Sequence, residues 1–155
     1  MVFARVPYRM ETIQFHSKAI AYSELSNFYE AHFELDGKIW KTVEHYFQHE
    51  KFPGDIVLQE KISQAKTAAS AKQLGKTRTP TFRADWNEVR DEVMRKAVEA
   101  KFKQNPELLQ LLLETGSKHL EEKSLFDSYW GTGRNGKGQN KMGQILMELR
   151  SRTNQ

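Results

Sequence analysis

Glu44, Gln48 and Lys51 fall four and three residues apart in the stretch Glu44-His45-Tyr46-Phe47-Gln48-His49-Glu50-Lys51-Phe52. On a helix of about 3.6 residues per turn they share a stripe about 60° wide, so a carboxylate, an amide and an amine face one pocket. That set is compact enough to grip one small molecule. The same spacing also describes a solvated helix face with a weak surface pair. Tyr46, Phe47 and Phe52 weigh against a fully solvated helix, because large apolar side chains are usually mostly buried.

A second chemical feature is the loop Trp130-Gly131-Thr132-Gly133-Arg134-Asn135-Gly136-Lys137-Gly138-Gln139-Asn140, with four glycines and two cations ahead of a helix start. Glycines let backbone approach a ligand and helix N-termini favour anions, so the loop reads as a phosphate cradle, against the plainer reading of a mobile turn. Its glycine spacing is not that of a Walker loop. Asp127 and Trp130 stand at its entrance, and Trp86 opens the longest helix; a tryptophan there can stack on a base or sugar, or serve as core. Ser26-Asn27-Phe28 offers hydroxyl and amide hydrogen bonds from a loop.

Several chemistries are excluded. There is no Gly-x-Ser-x-Gly nucleophile elbow and no Gly-x-Gly-x-x-Gly after a strand, which disfavours serine hydrolysis and hydride transfer. Without cysteine, disulfides, iron-sulfur clusters, cysteine-ligated zinc and thiol nucleophiles are all ruled out. His45 and His49 are four apart but lack the glutamate of a zincin helix, so neither a metal nor another cofactor is expected.

The elements that must position these groups fit one domain of 155 residues, 38% hydrophobic and 28% charged. No apolar run approaches the length of a membrane span, and Met1 to Met10 lack a secretory pattern, so a cytoplasmic protein is expected. The net charge of +4 lies within residues 131–155, which hold Arg134, Lys137, Lys141, Arg150 and Arg152 against Glu148; such a bias attracts phosphates.

Thr12–His16 alternates as a strand, and Phe33–Trp40 reads as a hairpin about Asp36-Gly37 with Trp40 in the core. Thr42 caps the helix carrying Glu44, which Pro53-Gly54 ends. Helices follow at 55–65, at 67–74 between a Thr67 cap and Gly75, and at 85–103. Asp85 with Glu88 resembles a capping box, and Trp86, Val89, Val93, Ala97 and Ala100 mark the core face. The helix after Asn105-Pro106 is apolar almost all round, as in a buried element, and Gly116 ends it. A short strand at 119–123 and a closing helix faced by Met142, Ile145, Leu146 and Leu149 complete a single mostly helical α+β domain with a small β-sheet.

In order, Ser26-Asn27-Phe28, Gly37-Lys38 with Trp40 and Thr42, Glu44-His45-Tyr46-Phe47-Gln48, Lys51-Phe52, Asp85-Trp86, Val93-Met94, Lys101-Phe102, Asp127-x-Tyr129-Trp130-Gly131-x-Gly133, Gly136-Lys137-Gly138-x-Asn140, Gly143 and Leu146-Met147 resemble the NADAR or YbiA-like family. The resemblance runs from about Ile13 to Arg150 and leaves residues 1–12 outside. It implies a YbiA-like fold and N-glycosidase activity, on phosphoribosylamino-pyrimidine intermediates of riboflavin synthesis or on ADP-ribosylated guanine in DNA or RNA, sometimes paired with an ADP-ribosyltransferase. The family's catalytic positions match Glu44, Trp86, Asp127 and Trp130, with Lys51 a further match.

Both implied substrates are glycosylamines, which open to an imine. Lys51 would attack C1 by imine exchange, Glu44 would move protons at the ring oxygen and leaving amine, and Asp127 would orient sugar hydroxyls or water. Substrate contacts are expected from Ser26, Asn27, Phe28, Tyr46, Gln48, Gly131, Gly133, Arg134, Lys137 and Asn140. Two alternatives stand beside this: direct acid-base hydrolysis by Glu44 and Asp127, and a nucleotide- or nucleic-acid-binding module without turnover.

Overall fold

In the computed structural model, residues 11–154 are described; Met1 to Met10, read above as lacking a secretory pattern, lie outside them. Strand β1 (Thr12–Phe15) opens the fold, and a 3-10 turn at Ser23–Leu25 precedes the hairpin of β2 (Phe33–Leu35) and β3 (Lys38–Trp40). Asp36 and Gly37 both take left-handed φ, 52° and 78°, as a tight two-residue hairpin turn requires. The turn pairs Phe33 with Trp40, whose indole donates to the Leu35 carbonyl at 2.9 Å.

Helices α1 (Val43–His49), α2 (Ile56–Ser63) and α3 (Ala68–Leu74) start at caps chosen by small polar residues. Thr42 accepts from the His45 N–H, Asp55 from Leu58 and Thr67 from Ser70, each satisfying a donor the helix cannot. Every residue of α1 is buried. The helix ends at His49, short of the expected Pro53-Gly54, and successive tight turns carry Lys51 and Phe52 onward. Phe52 then packs with Ile62, Ala65 and Ala71 in a small core beneath α2 and α3.

The long α4 (Trp86–Gln104) is the central beam, packed by α1, β2, α5 (Pro106–Glu114) and α6 (Lys141–Thr153). Its fully buried face is Met94, Ala97, Val98, Lys101 and Phe102, with Val89, Val93 and Ala100 half-buried beside it. The face is thus turned by about one residue from the expected stripe, because elements press on both flanks. Each large side chain buried here stabilises the fold by roughly 1.5–3 kcal/mol.

Three further expectations change. Asp85 makes no side-chain cap, since Arg83 takes its carboxylate through two bonds of 2.6 and 3.0 Å. Helix α5 is half-buried rather than enclosed: only Leu112 of its five leucines is fully covered, because the helix lies across the outside of α4. Among the described residues the β-structure is two separate pairs, the β2–β3 hairpin and a parallel pair of β1 with β4 (His119–Glu122). In that pair Ile13 faces Leu120 and Phe15 faces Glu122, bringing β1 against the segment that follows α5. Gly143 of α6 sits so close to the Leu120 carbonyl that no Cβ could be accommodated. Among the described residues, no helix is long and apolar enough to cross a membrane.

Candidate active site

A cavity of about 550 Å³ opens where α1, the Ser26–Phe28 loop, β4 and the Asp127–Trp130 turn converge. Of the residues singled out from the sequence, Ser26, Asn27, Phe28, Glu44, Gln48, Lys51, Asp127 and Trp130 line it together. Glu44 is held by two amides: Gln48, one helical turn on, donates to Oε1 at 2.7 Å, and Asn27 donates to Oε2 at 3.2 Å. Asn27 is fixed in turn, because its carbonyl accepts the Glu44 N–H. Burial pushes the Glu44 carboxyl above its usual value, while these amides and the Lys72 and Lys51 charges pull it back.

Lys51 is 9% exposed and makes no ion pair among the described residues. Its Nζ lies 5.6 Å from the Phe47 ring centre and 5.7 Å from that of Trp86. Burial pushes its amine down to about 8, with the Arg78 and Lys72 charges helping and Glu44 opposing. About one tenth is therefore neutral at pH 7, far more than for a free lysine. Trp86 stands behind the cavity wall, tilted onto Phe47 at 4.9 Å; it shapes Phe47 and Lys51 rather than lining the space itself.

Asp127 belongs to a turn that its own side chain organises. Oδ1 accepts the N–H groups of Tyr129 and Trp130 at 3.0 and 2.8 Å, and the Ser124 hydroxyl accepts the Asp127 N–H. Trp130 is fixed edge-on against Phe47 at 5.4 Å.

The remaining expected contacts lie outside the cavity lining. Tyr46 is core: it packs edge-on against Trp40 and its hydroxyl donates to Asp36 at 2.7 Å. Gly131, Gly133, Arg134, Lys137 and Asn140, expected to cradle phosphate, lie in a loop organised by its own bonding. The N–H groups of Thr132, Gly133, Gly138 and Asn140 are satisfied within the turn or by β4, and Arg134 and Lys137 are exposed. Gly131 is needed because a Cβ there would meet the Glu122 carbonyl at 2.8 Å. The Asn140 side chain instead bridges β4, donating to the Leu120 carbonyl and accepting the Glu122 N–H, both at 2.9 Å.

The C-terminal positive charge serves the fold as well. Arg150 is buried against Thr115 and the Lys118 carbonyl, Arg152 pairs with Glu99 and Lys141 with Asp91. The cavity's cations are Lys18, Lys51, Lys72 and Lys123, from four separate parts of the chain. Sequence reasoning missed Lys18, Lys72, Glu122 and Lys123 in this lining. Strand alternation signals Glu122, since it puts an acid on the same face as fully buried Leu120.

Residues 14–154 match the NADAR domain. The chain belongs to the NADAR family. This NADAR chain is 44% identical over 138 residues to "N-glycosidase YbiA" of Shigella boydii, covering 89% of this chain and 86% of that protein. It is 41% identical over 140 residues to a Vibrio vulnificus "Riboflavin biosynthesis protein", covering 90% of this chain but 38% of that longer one. The solution NMR structure of the Escherichia coli protein YbiA superposes on it with a TM-score of 0.84 at 40% identity, covering 97% of this chain and 90% of that one. The NADAR fold here is accordingly mixed α+β and mostly helical, as the resemblance implied.

Proposed function

We propose that this NADAR protein is an N-glycosidase that hydrolyses the bond between ribose C1 and an exocyclic amine, on a phosphoribosylated aminopyrimidine of the riboflavin-synthesis type. The observation that carries the reading is Lys51: a buried amine, unpaired among the described residues, that shares a cavity with an amide-clamped carboxylate and Trp130. Sequence similarity to proteins named as N-glycosidase and riboflavin biosynthesis proteins supports the reaction and the substrate class.

In this account the glycosylamine opens to an imine, and neutral Lys51 attacks C1 and displaces the base. Water then hydrolyses the Lys51-ribose Schiff base. Glu44, fixed by Asn27 and Gln48, moves the proton at the ring oxygen. Asp127 has Oδ1 committed to its turn, which leaves its second oxygen for a sugar hydroxyl or the water. Trp130 and Phe28 flank the base, and Lys18, Lys72 and Lys123 are the cations available to a phosphate.

A second reading, ADP-ribosylated guanine, is favoured by one feature of the rim. Phe126, 88% exposed at the cavity edge, together with Lys18 and Lys123, offers a platform to a ligand longer than one ribose phosphate. That substrate would place the protein opposite an ADP-ribosyltransferase acting on nucleic acid. Mass spectrometry of parallel turnovers tests both: free aminopyrimidine with ribose 5-phosphate is expected from the first substrate. Tight binding of either compound with no product from both would replace the glycosidase with a binding module.

A further inference from the structure

Glu122 has no part in the mechanism above, yet its carboxyl lines the same cavity. Its backbone is pinned on three sides: the N–H donates to Asn140, and the carbonyl accepts from the Thr132 N–H at 2.9 Å and the Thr132 hydroxyl at 3.3 Å. Register opposite Phe15 and alternation with buried Leu120 fix the direction of the side chain, which lines the cavity. Its carboxyl makes no hydrogen bond or ion pair among the described residues. The two other cavity carboxyls differ, since Glu44 accepts from two amides and Asp127 from two backbone N–H groups.

Resting on the N-glycosidase reading, we propose that Glu122 is a further catalytic residue, the acid that protonates the departing amine. Its surroundings keep it protonated: burial, then the charges of Asp127 and Glu44, push the carboxyl up to about 8, with only Lys72 opposing. Glu44, whose two oxygens already face amide donors, is arranged as an acceptor and keeps the ring-oxygen proton. As the C1–N bond breaks, its electron pair stays on nitrogen, which takes the proton from the Glu122 O–H. One water is consumed over the turnover: its hydroxyl ends on C1, and its remaining proton returns Glu122 to the acid form through solvent. A carboxyl with no partner beside one clamped by two amides separates acid and acceptor roles by environment.

The test uses Glu122→Gln, with Glu122→Asp as a milder control, on two probes: the 5-phosphoribosyl derivatives of 4-methoxyaniline and 4-nitroaniline. The more basic 4-methoxyaniline needs a proton to leave, whereas 4-nitroaniline needs much less help. The expected result is a kcat loss of about 100-fold or more on the first probe, the lower end for an acid catalyst, and under about tenfold on the second, with KM unchanged. Glu122→Asp should restore part of the first loss. In carbon-13 carboxyl NMR of the free wild-type protein, the Glu122 signal should titrate near pH 8. Equal losses on both probes, no loss on the first, or titration in the ordinary carboxylate range would each overturn the assignment. Wild-type failure on both probes would instead overturn the glycosidase reading on which it rests.

Discussion

Lys101 offers a quantitative test of how the fold holds the site. It is 1% exposed on α4, and its Nζ donates to the carbonyls of Glu24 and Ser26 at 2.7 and 2.9 Å, anchoring the loop that delivers Asn27 to Glu44. Burial pushes its amine down to about 7 from an ordinary 10.5, with Glu24 opposing. That gap corresponds to about 5 kcal/mol of penalty on the charged form in the native state. The sign follows from proton counts. Between pH 7 and 10.5 the unfolded chain binds the proton and the native chain does not, so this group's contribution to stability rises with pH across that window. Below pH 7 both states are protonated and the penalty is constant. In Lys101→Met this titration vanishes, while two carbonyls lose a donor at about 1–3 kcal/mol each. Urea unfolding of wild type and variant at pH 6, 7, 8 and 9 should show the wild-type advantage growing by about 2–3 kcal/mol from pH 7 to 9. A difference between the two proteins that stays flat within about 0.5 kcal/mol over that range would refute the buried-amine argument.

Other consequences follow from single contacts. Lys51→Met should abolish turnover with the fold intact, and Lys51→Arg should leave under about 1%, because a guanidinium stays protonated; retention of most activity by the arginine variant would remove Lys51 as nucleophile. Wild-type kcat/KM should rise with pH toward about 8 as Lys51 loses its proton, and a profile flat from pH 6 to 8 would contradict that. Gly75→Ala drives a Cβ into the Gln48 side-chain amide, so it should cut kcat through the loss of a Glu44 clamp; unaltered kcat would show that clamp to be dispensable. Asn140→Ala breaks both side-chain bonds to β4 and should lower stability by about 2–4 kcal/mol, measured by thermal unfolding, whereas a phosphate-binding role would raise KM without destabilising the protein.

Local signals in the sequence were strong where the chemistry is local. Thr42, Thr67 and Asp36-Gly37 act at short range, so the caps and hairpin could be read from neighbouring residues alone. The Glu44 and Gln48 pair is likewise one helical turn, and its amide-to-carboxylate bond follows from spacing. Long-range choices were less legible. Asp85 looked like a cap until Arg83 competed for the same carboxylate. Nor does the glycine loop's composition show that the N–H groups of Thr132, Gly133, Gly138 and Gln139 bond to the carbonyls of Glu122, Asp127, Thr132 and Ser128. Cavity cations Lys18, Lys72 and Lys123 come from separate segments, and no sequence window contains the parallel β1–β4 pairing that helps bring two of those segments together. Tyr46 lay within the most family-like segment, yet its direction was set by the hairpin on the opposite side of α1.

Whether Lys51 meets ribose C1 in this cavity is answered most directly by reductive trapping. Wild-type protein is mixed with the phosphoribosylated aminopyrimidine, reduced with borohydride, digested and mapped by mass spectrometry. The account predicts a ribose phosphate adduct on the peptide containing Lys51, absent in Lys51→Arg and absent without substrate. Full turnover with no adduct on that peptide would contradict it, and would hand the chemistry to direct hydrolysis between Glu44 and Asp127.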